Sequence, residues 1–158
     1  MTTDMKRRVF LKGSLAASVT TVAVGAGLMA PQAVLAAWPK AAFQAKNVDE
    51  AVNNALGSSA TMASDAIKIK APDIAENGAV VPITVVADIA GAESIALLAD
   101  KNASPLVAVF NLGPGTMADV STRIKMGKTG DVIAVVKAGG KLHAARKSVK
   151  VTIGGCGG

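Results

Sequence analysis

The chain has 158 residues, enough for one domain of ordinary size, and a formal net charge of +6. Hydrophobic residues make up 51% of the sequence but aromatic residues only 3%, so a core has to be built from Val, Ile, Leu and Ala, which suit pleated sheets. The scarcity of aromatic rings argues against a base-stacking platform, and the scattered lysines argue against DNA or RNA as a partner.

The first 36 residues have the features of an export signal. A basic stretch around Arg7 and Arg8 precedes an uncharged run over residues 13–30, and small residues up to Ala36 suit a signal peptidase. The paired arginines are typical of the bacterial twin-arginine signal, so the expected location is the periplasm. A retained anchor is the alternative, but the uncharged run is short and poor in Leu and Ile. We therefore expect residues 1–36 to be removed, leaving no stable membrane anchor.

One short helix is predicted near the start of the mature chain, after a lead-in over residues 38–46. Asn47 can cap this helix, and Glu50 stands three residues later, as in a capping box. Gly57 is suited to end it. Between these signals, apolar residues recur at helical spacing and predict one buried face, formed by Val48, Ala51, Val52, Ala55 and Leu56.

From Ser64 onward the hydrophobic period changes to two, which predicts about seven short strands. Pro82 lacks a backbone donor, so its strand is expected at an edge or a bulge. Residues 72–78 are expected to form a turn-rich connection, and Gly139-Gly140 a hairpin turn. The apolar segments cover residues 67–70, 79–87, 94–99, 106–112, 119–126, 132–137, 142–146 and 149–153. Residues 37–153 are thus predicted to be mainly β, an antiparallel immunoglobulin-like β-sandwich with one short N-terminal helix.

The most distinctive feature is Cys156, the only cysteine, which is flanked by Gly154, Gly155, Gly157 and Gly158. Glycines offer no side chain that could pack, so we expect residues 154–158 to form a flexible C-terminal arm. A single cysteine excludes a disulfide within the chain. Because a thiolate is a nucleophile, the arm is suited to carry cargo covalently into narrow pockets of other proteins.

The rest of the chain offers no self-contained active site. His143 is the only histidine and has no Asp or Glu close in sequence, which favours a surface or interfacial role over catalysis. One His, one Cys and dispersed carboxylates do not give the spacing of a metal site. No phosphate-binding loop or nucleophile elbow is present. We therefore expect a protein that is not an enzyme, with no catalytic residue, no metal and no bound cofactor.

The twin-arginine signal, the β-rich domain and the final Val-Thr-Ile-Gly-Gly-Cys-Gly-Gly of residues 151–158 together resemble the SoxY family, the sulfur carriers of bacterial Sox thiosulfate oxidation. Segments 119–125 and 131–136 are similar to that family as well. The resemblance implies that Cys156 carries thiosulfate-derived sulfur as a cysteine S-thiosulfonate and then as a persulfide. It also implies a heterodimer with a SoxZ-like β-sandwich subunit and transient docking to SoxAX-, SoxB- and SoxCD-like enzymes.

Three other functions are open to test. A sulfur carrier that is activated as a thiocarboxylate would use Gly157-Gly158, but such activation needs cytoplasmic ATP, which export argues against. A structural β-sandwich whose tail docks a partner would need no thiol. A thiol oxidoreductase would normally need a resolving cysteine or a base beside the thiol, and neither is visible.

Overall fold

The computed structural model describes residues 39–152, which contain two helices followed by nine strands. The helices are α1 (Lys40–Gln44) and α2 (Val48–Leu56). The strands are β1 (Thr61–Ala63), β2 (Ile67–Lys70), β3 (Ile74–Ala75), β4 (Val81–Ala87), β5 (Ala92–Ala99), β6 (Leu106–Asn111), β7 (Asp119–Ile124), β8 (Gly130–Ala138) and β9 (Lys141–Val151).

These strands form two sheets. The large sheet has the order β1-β9-β8-β5-β6, with β3 also paired to β9, and the small sheet has the order β2-β4-β7. The mainly β, two-sheet prediction is therefore confirmed. A purely antiparallel arrangement is wrong, because β1 and β3 both pair with β9 in parallel. The immunoglobulin-like assignment stays a prediction.

The large sheet is buried on both faces. In β8, Val132, Ala134 and Val136 belong to the core shared with the small sheet, whereas Ile133 and Val135 belong to the core shared with the helices. All five side chains are at most 1% exposed. A strand buried on both faces has a continuous apolar sequence without alternation, as residues 132–136 show. Burying each larger aliphatic side chain contributes about 1.5–3 kcal/mol.

Helix α2 confirms the predicted capping signals. The side-chain oxygen of Asn47 accepts a hydrogen bond from the Glu50 N–H at 2.8 Å. The Glu50 carboxylate accepts from the backbone N–H of Lys46 at 3.4 Å, one residue before the position that a standard capping box uses. Gly57 ends the helix with a left-handed backbone, at a φ of 86°. Local sequence signals were sufficient to predict this helix because every hydrogen-bond partner at its two ends lies within four residues along the chain.

Helix α1 lies inside the lead-in of residues 38–46, so the prediction of a single helix is wrong. Pro39 stands at its N-terminus, where a missing N–H costs nothing. Ala42 and Ala45 are fully buried in the core between the helices and the large sheet, and the Ser104 hydroxyl donates to the Phe43 carbonyl. This five-residue helix therefore depends on tertiary packing, which composition does not reveal. Within residues 39–152, neither helix has the length or apolar character to span a membrane.

Three strand predictions also need correction. The short strands β1 and β3 were not predicted, and one long strand, β9 (Lys141–Val151), replaces the two predicted segments as far as the structure describes them. Pro82 lies in β4, the central strand of the small sheet, and not in an edge strand. It is tolerated there because β2 ends at Lys70, opposite Thr84, which leaves Pro82 without a neighbour on that side. The Gly139-Gly140 hairpin is confirmed, and both glycines have positive φ.

Candidate functional site

The predicted carrier and signal residues lie outside the described part of the chain: Cys156, Gly154, Gly155, Gly157, Gly158, Arg7 and Arg8. The structure describes β9 and then Thr152, four positions before Cys156. We call residues 149–152 the arm root, since the predicted arm continues from them. The contacts of the arm root fix the position from which the chain proceeds to Cys156.

One side of the arm root pairs with the segment that contains β3. The backbone N–H of Lys150 donates to the Asp73 carbonyl at 2.9 Å, and the N–H of Thr152 donates to the Ala75 carbonyl at 3.0 Å. The Thr152 hydroxyl donates to the same Ala75 carbonyl at 3.4 Å. Hydrogen bonding on this side therefore continues to the last residue that the structure describes.

The other side of the arm root is held by a single hydroxyl group. Strand β8 begins at Gly130, opposite Val149, so β9 has no paired strand there beyond Val149. At this point the Thr129 hydroxyl accepts from the Val151 N–H at 2.9 Å and donates to the Val151 carbonyl at 3.2 Å. A hydroxyl has one donor and two acceptor positions, so it satisfies both backbone groups of Val151. This role of Thr129 was not predicted from the sequence.

The turn that carries Thr129 is itself fixed by the β5–β6 loop. The Asn102 side chain donates to the Lys125 carbonyl at 2.7 Å and accepts from the Gly127 N–H at 2.9 Å. A carboxylate oxygen of Asp100 accepts from the Asp131 N–H at 2.8 Å. Two side chains from one loop thus hold both ends of the turn, which makes the position of the Thr129 hydroxyl a property of the folded domain.

Gly78 packs between the small sheet and the arm root. Its carbonyl accepts from the Met126 N–H at 2.7 Å. A Cβ atom at this position would overlap the Met126 carbonyl oxygen and would lie 2.7 Å from a methyl carbon of Val151. Close approach of three segments therefore requires glycine here.

Charged side chains surround the arm root. Lys147 forms an ion pair with Asp73 at 3.0 Å, in which the Asp73 side chain is 88% exposed. Lys128 and Lys150 are exposed and form no ion pair within residues 39–152. The exposed Lys147–Asp73 pair contributes about 0–1 kcal/mol to the free energy of folding. The arm root is therefore held mainly by backbone hydrogen bonds and packing rather than by charge.

His143 lies far from the end of the arm root at Thr152. It is half-buried on β9, opposite Val136 of β8 and Met62 of β1. Nine residues separate it from Thr152, about 30 Å along a strand. Cys156 lies at most about 14 Å from Thr152, so even with both side chains extended the imidazole does not reach the thiol. Within residues 39–152, no three His, Cys, Asp or Glu side chains are grouped to hold a metal ion.

The end of the sandwich away from the arm root contains a cavity of about 740 Å³. Two loops that connect the sheets line it together with the adjoining strand ends, over residues 86–93 and 112–119. Ile89 and Leu112 extend the inter-sheet core to its floor, and Met117 is 80% exposed at its rim. The two sheets are thus less tightly closed at this end.

Comparison with known proteins identifies close relatives. A family model described as "Sulfur oxidation protein SoxY" matches residues 52–156, about two thirds of the chain, and its match ends on Cys156. A solved structure of the sulfur carrier protein SoxY from Chlorobium limicola f thiosulfatophilum is 48% identical, with a TM-score of 0.62. The similarity covers 66% of this chain and 96% of that one. Comparison with curated proteins gives no match.

Proposed function

Because the chain belongs to the SoxY family of sulfur oxidation proteins, we propose that it is a periplasmic covalent sulfur carrier whose cargo is bound to Cys156. The resemblance seen in the sequence is confirmed at the level of the family. The 48% identical relative is a sulfur carrier protein, a role that is consistent with a protein that is not itself a catalyst.

The observation that carries this proposal is the arm root. Backbone hydrogen bonds hold one side of the chain as far as Thr152, the Thr129 hydroxyl holds the other side at Val151, and the family match continues from there to Cys156. The thiol is therefore tethered four residues from a fixed point. A nucleophile on a short tether can be transferred between enzymes without dissociation of its cargo.

The proposed chemistry takes place in partner enzymes. In loading, the thiol of Cys156 and thiosulfate form a sulfur–sulfur bond, giving Cys–S–S–SO₃⁻ and releasing one proton and two electrons to a SoxAX-like haem enzyme. A SoxB-like enzyme then adds water, which gives sulfate, two protons and the persulfide Cys–S–S⁻. A SoxCD-like enzyme oxidises the outer sulfur further. This chain supplies the attachment atom, and His143 is too far from the thiol to serve as its base.

The location and assembly are part of the same proposal. Arg7 and Arg8 would direct export by the twin-arginine route, with residues 1–36 removed, residues 37–153 as the carrier domain and residues 154–158 as the arm. A SoxZ-like β-sandwich subunit would form the stable heterodimer. The exposed Lys128 and Lys150 beside the arm root would favour an anionic cargo over a neutral one, although salt screens such exposed charges.

Intact mass spectrometry of the protein purified from thiosulfate-oxidising cells tests the proposal. The expected adduct is one S₂O₃ group per chain, and it should be absent in Cys156→Ser. The matched control is the double variant Cys156→Ser with Ser148→Cys, which keeps one thiol at an exposed position of β9. We expect no enzyme-dependent loading of that control.

Other outcomes would favour the alternatives. Full sulfur oxidation by Cys156→Ser would overturn the proposal. Loss of function after the C-terminal carboxylate is blocked, with the thiol intact, would favour a thiocarboxylate carrier. Unchanged function after alkylation of the thiol would favour a structural module.

A further inference from the structure

We propose that Thr129 is a positioning residue for the carrier. Its hydroxyl fixes the end of strand β9, just before the arm, and thereby sets the distance that Cys156 can reach. The inference rests on the proposed function of Cys156. It concerns a described residue that lies 22 positions before Val151 and has no chemical role in sulfur transfer.

Hydrogen bonds alternate between the two sides of the chain along the arm root. Lys150 and Thr152 bond through their N–H groups to carbonyls of the β3 segment, so Val151 presents its N–H and carbonyl to the opposite side. On that side β8 has not yet begun, and only Thr129 bonds to both groups. Without the hydroxyl, neither the N–H nor the carbonyl of Val151 keeps the hydrogen bond that it forms within residues 39–152.

The consequence is a change in tether length. With the chain held to Thr152, the Cα atom of Cys156 lies within about 14 Å of the last fixed residue. If the end of β9 is released back to Val149, Cys156 lies seven residues after the last fixed residue, and the upper limit of the distance between their Cα atoms becomes about 25 Å. The longer tether has three more residues to order when the thiol enters a partner enzyme. Because the bonds of Lys150 and Thr152 to the β3 segment do not involve Thr129, we expect its hydroxyl to account for about one of these residues. Ordering one residue lowers the efficiency of docking by about tenfold.

The supporting contacts show that the hydroxyl is held in place for this bond. Asn102 and Asp100 fix the two ends of the turn that carries Thr129. A Cβ atom at the next residue, Gly130, would overlap a carboxylate oxygen of Asp100, so this turn is closely packed. Thr129 itself is exposed, and burial therefore gives no other reason for its position.

The test compares Thr129→Val, which removes the hydroxyl at nearly constant volume, with Thr129→Ser, which retains it. Thr84→Val is the matched control, because it removes a hydroxyl that bonds to Ser121 at 2.8 Å on the small sheet. Three quantities are measured on the full exported protein. They are kcat/KM for thiosulfate loading by the SoxAX-like enzyme, the alkylation rate of Cys156 with iodoacetamide, and amide hydrogen exchange at Val151.

For Thr129→Val we expect an approximately tenfold lower kcat/KM for loading and faster exchange at Val151, with alkylation within about twofold of wild type. Thr129→Ser and Thr84→Val should load within about twofold of wild type. Alkylation is the readout that a role in thiol chemistry would change, because a small reagent needs no docking.

Three results would overturn the inference. These are unchanged loading by Thr129→Val, equal losses in Thr129→Val and Thr84→Val, and alkylation slowed as much as loading. Cys156→Ser separates this inference from the proposed function. If Cys156→Ser abolishes loading while Thr129→Val has no effect, the carrier role stands and only the positioning role fails.

Discussion

The two ends of the sandwich are built differently. At the arm root, Gly78, Met126 and Val151 approach so closely that no Cβ fits at Gly78, and hydrogen bonds to the β3 segment and to the Thr129 hydroxyl hold the chain on both sides. At the opposite end, two sheet-to-sheet loops leave a cavity of about 740 Å³ with Met117 80% exposed at its rim. Close packing is thus concentrated where the chain proceeds to Cys156. A carrier that presents a tethered thiol needs this fixed end more than it needs the other.

The largest expected difference between the two ends comes from one methyl group. Gly78→Ala should lower the free energy of unfolding by about 3 kcal/mol, because the new Cβ overlaps the Met126 carbonyl oxygen and the backbone has to shift. Gly113→Ala at the cavity end is the matched control, since its Cβ would meet only the Thr116 hydroxyl at 3.4 Å. Urea unfolding measures both. Equal losses at the two glycines would remove the proposed contrast.

A second comparison removes apolar side chains. Val149→Ala should cost about 2 kcal/mol, because Val149 is fully buried in the core between the sheets at the arm root. Met117→Ala removes a larger side chain that is 80% exposed, so its cost should remain below about 0.5 kcal/mol. Thermal or urea unfolding ranks the pair. A larger loss for Met117 would show that the cavity rim is packed more tightly than its exposure indicates.

A third comparison uses two aspartates. Asp100→Ala should cost about 1–2 kcal/mol, because the partly buried Asp131 N–H loses the acceptor that fixes the Thr129 turn. Asp88→Ala at the cavity rim should be nearly neutral, since Asp88 is exposed and its side chain has no bonding partner within residues 39–152. Hydrogen exchange at Asp131 should increase in the first variant alone. No change there would mean that the turn holds without Asp100.

The sequence predicted those parts of the fold whose signals are local. Alternation in β7, the caps of α2 and the two-glycine hairpin before β9 each depend on neighbours within a few residues, and all are confirmed. By contrast, β3 forms only because it pairs in parallel with residues that follow some 75 positions later. The same holds for Thr129, whose role depends on the register between a turn and the end of β9. The glycine-flanked position of the only cysteine was sufficient to predict Cys156 as the attachment residue, but the register that holds the arm root is a tertiary property.

The smallest expected effect concerns the ion pair beside the arm root. Asp73→Asn removes the carboxylate that Lys147 contacts at 3.0 Å but keeps the backbone carbonyl that accepts from the Lys150 N–H. Because the Asp73 side chain is 88% exposed, the loss should not exceed about 0.5 kcal/mol, and 1 M NaCl should abolish it. Asp88→Asn is the control for a change in net charge at the other end. A loss above about 1 kcal/mol in Asp73→Asn that 1 M NaCl abolishes would mean that charge, and not the backbone hydrogen bonds to the β3 segment, holds the arm root on that side.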